Sequence, residues 1–433
     1  MTLLQHFKRL LLTTLCLTCA FCVKAQHFVG GDISMLPYYE TAGSTYLDNN
    51  GNAISGDLID YLKQQGWNSL RVRLFVDPVA YRTKNGSTFW NEGARQTLDD
   101  VTALGKRIKD AGLAFMLDLH YSDTWTDPGK HLAPLGWNSS NLAAELYNYT
   151  KTVLQTLKGA GATPDFIQVG NELNCGMLWD KLYEGEASNS CYANTTGAKM
   201  DNFISYLKKG CQACREECPD AKIVFHVAME YKTTANAASW AAKTWPQTLA
   251  DKGVDYDIIG LSYYPAEHGP LNYLTTLLTY LTSHFPDKQL QLVETGYPHA
   301  YYPGGANYNY TSTYPATDAG QLNFTNALLT ELKKFPKVTG LYWWAPECNE
   351  YWKKNTNTQV TSGWYNSGLW DNQTGKAMKA LYQLKNFRGD ELTAVSRPSV
   401  SAPTTVAYNL LGHPVAATAR GLYIVNGRKV IGK

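Results

Sequence analysis

From about residue 28 to residue 387 the chain repeats one alternation, a short apolar run followed by a longer amphipathic stretch. The short runs lie at 28–33, 69–75, 113–119, 166–169, 223–227, 257–261, 290–293 and 341–344. The stretches between them predict helices near 58–65, 98–111, 142–157, 202–217, 235–250, 273–284 and 319–335. Gly66, Gly112, Pro164 and Pro219 mark changeovers, where a breaker ends one element before the next begins. Eight strand–helix cycles over about 360 residues predict an α/β chain folded as a (β/α)8 TIM barrel with extended loops. An open doubly wound sheet would need a Gly-rich phosphate loop after its first strand, and Gly30-Gly31-Asp32 lacks that spacing.

The pattern changes at both ends. Lys8 and Arg9 precede an apolar run from Leu10 to Val23, then Val23-Lys24-Ala25 offers a small-residue cleavage site. Residues 1–25 therefore predict a signal peptide, and the run is too short for a transmembrane span. The expected location is secreted or at the cell surface. Residues 26–391 form the expected catalytic barrel, 392–405 a Ser/Pro/Thr/Val-rich linker, and 406–433 a short β-rich tail. In that tail residues 421–431 predict a β-hairpin around Asn426-Gly427, a dipeptide suited to a type I′ turn.

Composition narrows the function. The net charge of +2 comes from 39 basic and 37 acidic residues spread along the chain, which offers no footprint for nucleic acid or an anionic membrane. The 29 Tyr and 12 Trp exceed ordinary use; most fill a core, but a surplus at strand ends favours stacking on sugar faces. Beyond the export segment with Cys16, Cys19 and Cys22 lie six cysteines: Cys175, Cys191, Cys211, Cys214, Cys218 and Cys348. An even number in an oxidising compartment points to disulfides or buried thiols. Zinc at Cys211, Cys214 and Cys218 would lack a second ligand pair. No metal or cofactor is expected.

In a barrel of this kind reactive groups gather at the C-terminal strand ends. In chain order these carry Asp32, Arg73, Asp118 and His120, Asn171 and Glu172, His226, Ser262 to Tyr264, Glu294, and Trp343 and Trp344. Glu172 follows the fourth strand and Glu294 ends the seventh, two strands that face each other across a barrel mouth. Such a pair suits glycosidic cleavage, one carboxyl protonating the leaving oxygen while the other attacks the anomeric carbon. A single strand-end Glu would more often be a salt-bridge partner; two, flanked by aromatic and polar groups, shift the balance to catalysis. Asn171 is placed to donate to a sugar 2-hydroxyl, and Arg73 and His226 to hold the nucleophile ionised. His120 serves structure or function equally well.

The runs Gly31-Asp32-Ile33-Ser34-Met35-Leu36, Asp118-Leu119-His120-Tyr121-Ser122-Asp123-Thr124-Trp125 and Val169-Gly170-Asn171-Glu172 resemble glycoside hydrolase family 53. So do Gly260-Leu261-Ser262-Tyr263-Tyr264-Pro265, Val293-Glu294-Thr295-Gly296-Tyr297-Pro298 and Gly340-Leu341-Tyr342-Trp343-Trp344, all in the family's order between about 28 and 375. The resemblance implies a retaining endo-β-1,4-galactanase acting on galactan side chains of pectin and type I arabinogalactan. It implies Glu172 as acid/base and Glu294 as nucleophile. It also implies a substrate groove lined by Asp32, Asp118, His120, Trp125, Asn171, Tyr264, Trp343 and Trp364. Some family members bind calcium in the loop after the seventh strand, but residues 299–310 hold no carboxylate for it here. The tail resembles β-rich endings of exported bacterial proteins, some of them sorting signals; a vestigial hairpin is the plainer reading. Alternatives for the whole are a retaining enzyme on mannan or xylan, or a glycan-binding barrel without catalysis. The partner is the polysaccharide, and the chain is expected to act as a monomer.

Overall fold

The computed structural model describes residues 26–80, 94–179, 197–232, 234, 240–351 and 366–392, with four short strands between 407 and 432. Eight parallel strands close on themselves in chain order. They are β1 (Phe28–Asp32), β2 (Ser69–Leu74), β3 (Ala114–Leu119), β4 (Phe166–Val169), β5 (Lys222–Ala228), β6 (Ile258–Tyr263), β7 (Gln289–Thr295) and β8 (Val338–Trp344), the last pairing with β1. This is the expected (β/α)8 barrel. Around it run α1 (Leu36–Ala42), α2 (Leu58–Gln64), α3 (Leu98–Asp110), α4 (Leu142–Gly159), α5 (Ala198–Glu217), α6 (Trp240–Asp251), α7 (Pro265–His268), α8 (Leu271–His284), α9 (Asp318–Leu332) and α10 (Lys379–Gln383).

Local chemistry explains the boundaries. Thr97 caps α3 by accepting from the Asp100 N–H, and the Asp100 carboxylate accepts in return from the Thr97 N–H. Strands β5, β6 and β7 run beyond their apolar segments, through Ala228, Ser262 and Tyr263, and Glu294 and Thr295. Polar side chains end the hydrophobic pattern there while ladder pairing continues, and these are the positions that face the barrel mouth. β8 begins three residues before its apolar run because Gly340 hides the pattern. A Cβ at that position would stand 2.6 Å from the Gln291 side chain, so only glycine allows the approach.

The core has two parts. Met116, Phe166, Val224, Ile258, Val293 and Tyr342 plug the barrel interior. A larger layer between strands and helices is anchored by residues such as Trp67, Phe203, Trp245, Leu278 and Phe324. With the floor filled by apolar side chains, polar groups on the same strand faces collect above it.

The chain divides into two compact units, Met1–Gly389 and Asp390–Lys433. In the second, β9 (Ala407–Tyr408), β10 (Pro414–Val415), β11 (Gly421–Val425) and β12 (Arg428–Gly432) form an antiparallel sheet in the order β10-β9-β11-β12. Val425 pairs with Arg428, leaving Asn426 and Gly427 between the strands. The two-residue strands β9 and β10 are too short for an alternating pattern to register. The signal segment 1–25, the 393–405 part of the linker, Cys191 and Trp364 lie outside the described residues.

Candidate active site

The strand ends surround a cleft of about 790 Å³ whose walls include Arg73, His120, Trp125, Asn171, Glu172, Tyr264 and Glu294. Asp32, Asp118, His226 and Trp343 do not line it. They are fully buried behind its walls and hold the lining groups.

At the centre is Arg71, a residue passed over in the chain pattern. Its guanidinium donates to Asp32 Oδ2 at 2.8 Å, Asp118 Oδ2 at 2.7 Å and Asn171 Oδ1 at 3.0 Å, and pairs with Glu294 Oε1 at 2.9 Å. Arginine's fixed fork lets one cation bridge carboxylates on three strands. A cation in the middle of a fully buried strand requires partners, which was the available signal. The role expected of Arg73 and His226 is therefore corrected. Arg73 pairs instead with Asp32 Oδ1 at 2.8 Å and sits 4.5 Å from the Trp125 ring centroid. His226 bonds to the backbone of Glu172 and to Ser262.

The two glutamates meet different surroundings. Burial raises both carboxyls. For Glu294 the Arg71 cation opposes burial, and the Tyr264 hydroxyl donates to Oε2 at 2.9 Å. For Glu172 the negative charge of Glu294 adds to burial and drives it well above the ordinary carboxylate range. Of the two, Glu172 is the one pushed well above the ordinary range, while Glu294 faces a cation and a hydroxyl donor that favour its charged form. Burial also works against the Asp118 charge, yet Arg71 and His120 pull its carboxyl down to about 2.

Asn171 accepts from Arg71 and gives one amide proton to the Thr126 carbonyl at 2.8 Å. His120 packs between Phe75 and Trp125, with Nε2 3.1 Å from Asp118. The aromatic wall is Trp125 with Trp344, ring centroids 6.2 Å apart. Trp344, not Trp343, borders the cleft; Trp343 is fully buried and its Nε1 donates to the Ser367 carbonyl at 2.8 Å.

Cys211, Cys214, Cys218 and Cys348 are reduced, buried thiols, so for these four the disulfide expectation gives way to its alternative. Cys211 and Cys214 share one buried face of α5 and Cys218 follows it, so all three pack into the core. No cluster of three His, Cys, Asp or Glu able to hold a metal occurs among the described residues. The loop after β7 rests on a cluster of rings, Tyr297, Tyr302, Tyr310, Tyr314 and Phe324. No helix among the described residues is long and apolar enough to cross a membrane.

A sequence-family model described as glycosyl hydrolase family 53 matches residues 28–384. A protein of Niallia circulans, named only as uncharacterized in the bgaB 5′ region, is 34% identical over 75% of this chain and 85% of its own length. A probable arabinogalactan endo-β-1,4-galactanase A of Neosartorya fischeri is 33% identical over 78% of this chain and 89% of its own. Among solved structures, the GH53 catalytic domain of Ignisphaera aggregans superposes with a TM-score of 0.69 at 28% identity, covering 85% of this chain and 98% of that one.

Proposed function

The chain belongs to glycosyl hydrolase family 53 and is a glycoside hydrolase, and from that premise we propose that it is an exported endo-β-1,4-galactanase working by double displacement. Glu172 protonates the leaving sugar oxygen while Glu294 attacks the anomeric carbon. Water, deprotonated by Glu172, then releases the glycosyl-enzyme with net retention. The observation that carries this reading is the asymmetry of the pair: Glu294 pairs with Arg71 at 2.9 Å and accepts from Tyr264 at 2.9 Å, whereas the charge of Glu294 helps drive the half-buried Glu172 carboxyl up. An acid and a nucleophile must differ in this way at the same pH.

Asn171 would bond the 2-hydroxyl of the glycosyl unit under attack, and Trp125 with Trp344 would stack against sugar faces. Names borne by relatives support β-1,4-galactan, such as the pectin side chain, as the substrate. Lys8, Arg9 and the apolar run to Val23 support export. All groups named here belong to one chain, which supports action as a monomer.

Purified protein should release reducing sugar from β-1,4-galactan faster than from mannan or xylan. Early products followed by proton NMR should appear as the β-anomer. Glu294→Ala should lower turnover by about 10⁴-fold or more with the fold intact. Faster mannan hydrolysis would remove the substrate, and early α-anomer the mechanism. Near-normal cleavage by the variant would remove the nucleophile.

A further inference from the structure

Glu172 occupies a backbone conformation that its side chain disfavours. Its φ of 45° and ψ of 55° are left-handed, a region where a residue bearing a Cβ is strained and persists only under outside constraint. Two histidines supply that constraint. The Glu172 N–H donates to Nδ1 of His226 at 3.2 Å, and the Glu172 carbonyl accepts from Nε2 of His131 at 3.1 Å. Both rings are almost wholly buried. Each end of one strained residue is thus gripped by an imidazole from a different part of the barrel, β5 in one case and the long loop after β3 in the other.

The hydrogen-bond directions are fixed by counting donors. Nδ1 of His226 faces the Glu172 N–H and the Gln168 side-chain amide at 3.0 Å, so it carries no proton. The Asn171 oxygen, 3.0 Å from the same nitrogen, accepts from Arg71. The His226 proton therefore sits on Nε2 and goes to Ser262 Oγ at 2.8 Å. Ser262, which accepts there, opposes the burial of the Glu172 carboxyl and favours its charged form. Donation runs from the Glu172 N–H into His226 and from His226 on to Ser262. Charges near His226 are Arg71 and Asp118, with His120 and His131 beyond; burial foremost, then the Arg71 cation, holds its ring well below the ordinary histidine range. Burial likewise holds His131 down to about 3, so both rings stay neutral.

We propose that His131, His226 and Ser262 are positioning residues for proton transfer, the rings locking the backbone of Glu172 and Ser262 aiming its carboxyl. This rests on Glu172 being the acid/base. His131 also ties that acid to the aromatic wall. Its loop carries Trp125 and Thr126, and the Thr126 carbonyl accepts from Asn171 at 2.8 Å, next to Glu172 in the chain. Movement of the loop would shift the sugar platform and the proton donor together.

The test compares galactan, whose leaving sugar must be protonated, with a dinitrophenyl β-galactobioside, whose leaving group needs no proton. His131→Phe and Ser262→Ala should lower kcat/KM, which reports formation of the glycosyl-enzyme, by about 10²-fold on galactan but by less than about tenfold on the dinitrophenyl substrate. Ser262→Ala should also move the alkaline limb of the pH–rate profile upward, because the Glu172 carboxylate loses a donor. His131→Gln, which keeps an N–H at similar reach, should recover most of the loss. Equal losses on both substrates with the alkaline limb in place would overturn the proposal. Glu172→Ala is the control, expected to spare kcat/KM on the dinitrophenyl substrate, with its slowed release of the glycosyl-enzyme rescued by azide. If that control loses both substrates, the acid/base assignment itself fails; if it behaves while the other variants do not, positioning alone fails.

Discussion

Tyr342, Trp343 and Trp344 end β8, and the pleat of a strand sends alternate side chains to opposite faces. Tyr342 belongs to the plug inside the barrel. Trp344, two residues on, shares that face and emerges above the plug at the cleft, while Trp343 turns toward the helices and is fully buried. Trp344→Ala should raise KM for galactan by about tenfold, the loss of one stacking face, with little change in unfolding temperature. Trp343→Ala should instead cost on the order of 3–5 kcal/mol of stability, because it empties a core position. Kinetics and thermal unfolding of both variants would check this, and a reversed pattern would refute the assignment of faces. The same period separates what was legible in the chain from what was not. Glu172, Glu294, Asn171 and Tyr264 stood out as polar or aromatic groups ending apolar runs, while Trp125, in the loop after β3, was reached only through the family resemblance. Arg71 and Arg73 share one strand face, so alternation cannot say which guanidinium reaches Glu294; that depends on the neighbouring strands and on how far a long side chain extends.

At the scale of elements, the ends of the barrel are fastened where β8 meets β1. Beyond β8 the Glu347 carboxylate accepts from the Met35 N–H at 2.8 Å, and its carbonyl accepts from the Tyr46 hydroxyl at 2.7 Å. Its second oxygen, buried, finds no hydrogen-bond partner among the described residues. Burial, with the nearby Asp32 charge, pushes this carboxyl from 4.5 up to about 8. A carboxyl that binds its proton more tightly folded than unfolded contributes stability fully below about 4.5 and loses it as pH rises toward about 8. Glu347→Gln cannot titrate, so its unfolding free energy should gain on the parent's by on the order of 2–4 kcal/mol between those limits and stay level above. Denaturant titrations across that range would measure it, and parallel curves would rule it out. Helices were well legible because their apolar stripes repeat over several turns. Strand ends were less so, since the functional groups interrupt the pattern where pairing continues. α1 was missed because Pro37 and two tyrosines blur its buried stripe of Leu36, Tyr39 and Ala42, whereas the equally short α2 carries Leu58, Ile59 and Leu62.

For the whole molecule, all eight strands of the closed barrel lie in the first compact unit, which ends at Gly389. Closure comes from β1 against β8, and among the described residues every group placed at the cleft or its supports lies between Asp32 and Ser367. The last stretch still tied to the barrel is short: Phe387 packs edge-on against His27, and Arg388 donates to the Gly66 carbonyl at 3.1 Å. Immediately after comes Gly389, with a φ of 58° that breaks the helical run and marks the boundary between the two compact units. A chain ending at Gly389 keeps both of those contacts and all of the chemistry. It should cleave galactan with kcat/KM within about a factor of two of the full chain, and its barrel should unfold at the same temperature. A tenfold loss, or a barrel that no longer folds, would mean that the four-stranded tail supports catalysis. Unchanged kinetics would leave the tail to a task outside the reaction, such as the sorting role that its sequence resembles, and export of a reporter carrying residues 390–433 would then distinguish a sorting signal from a vestigial hairpin.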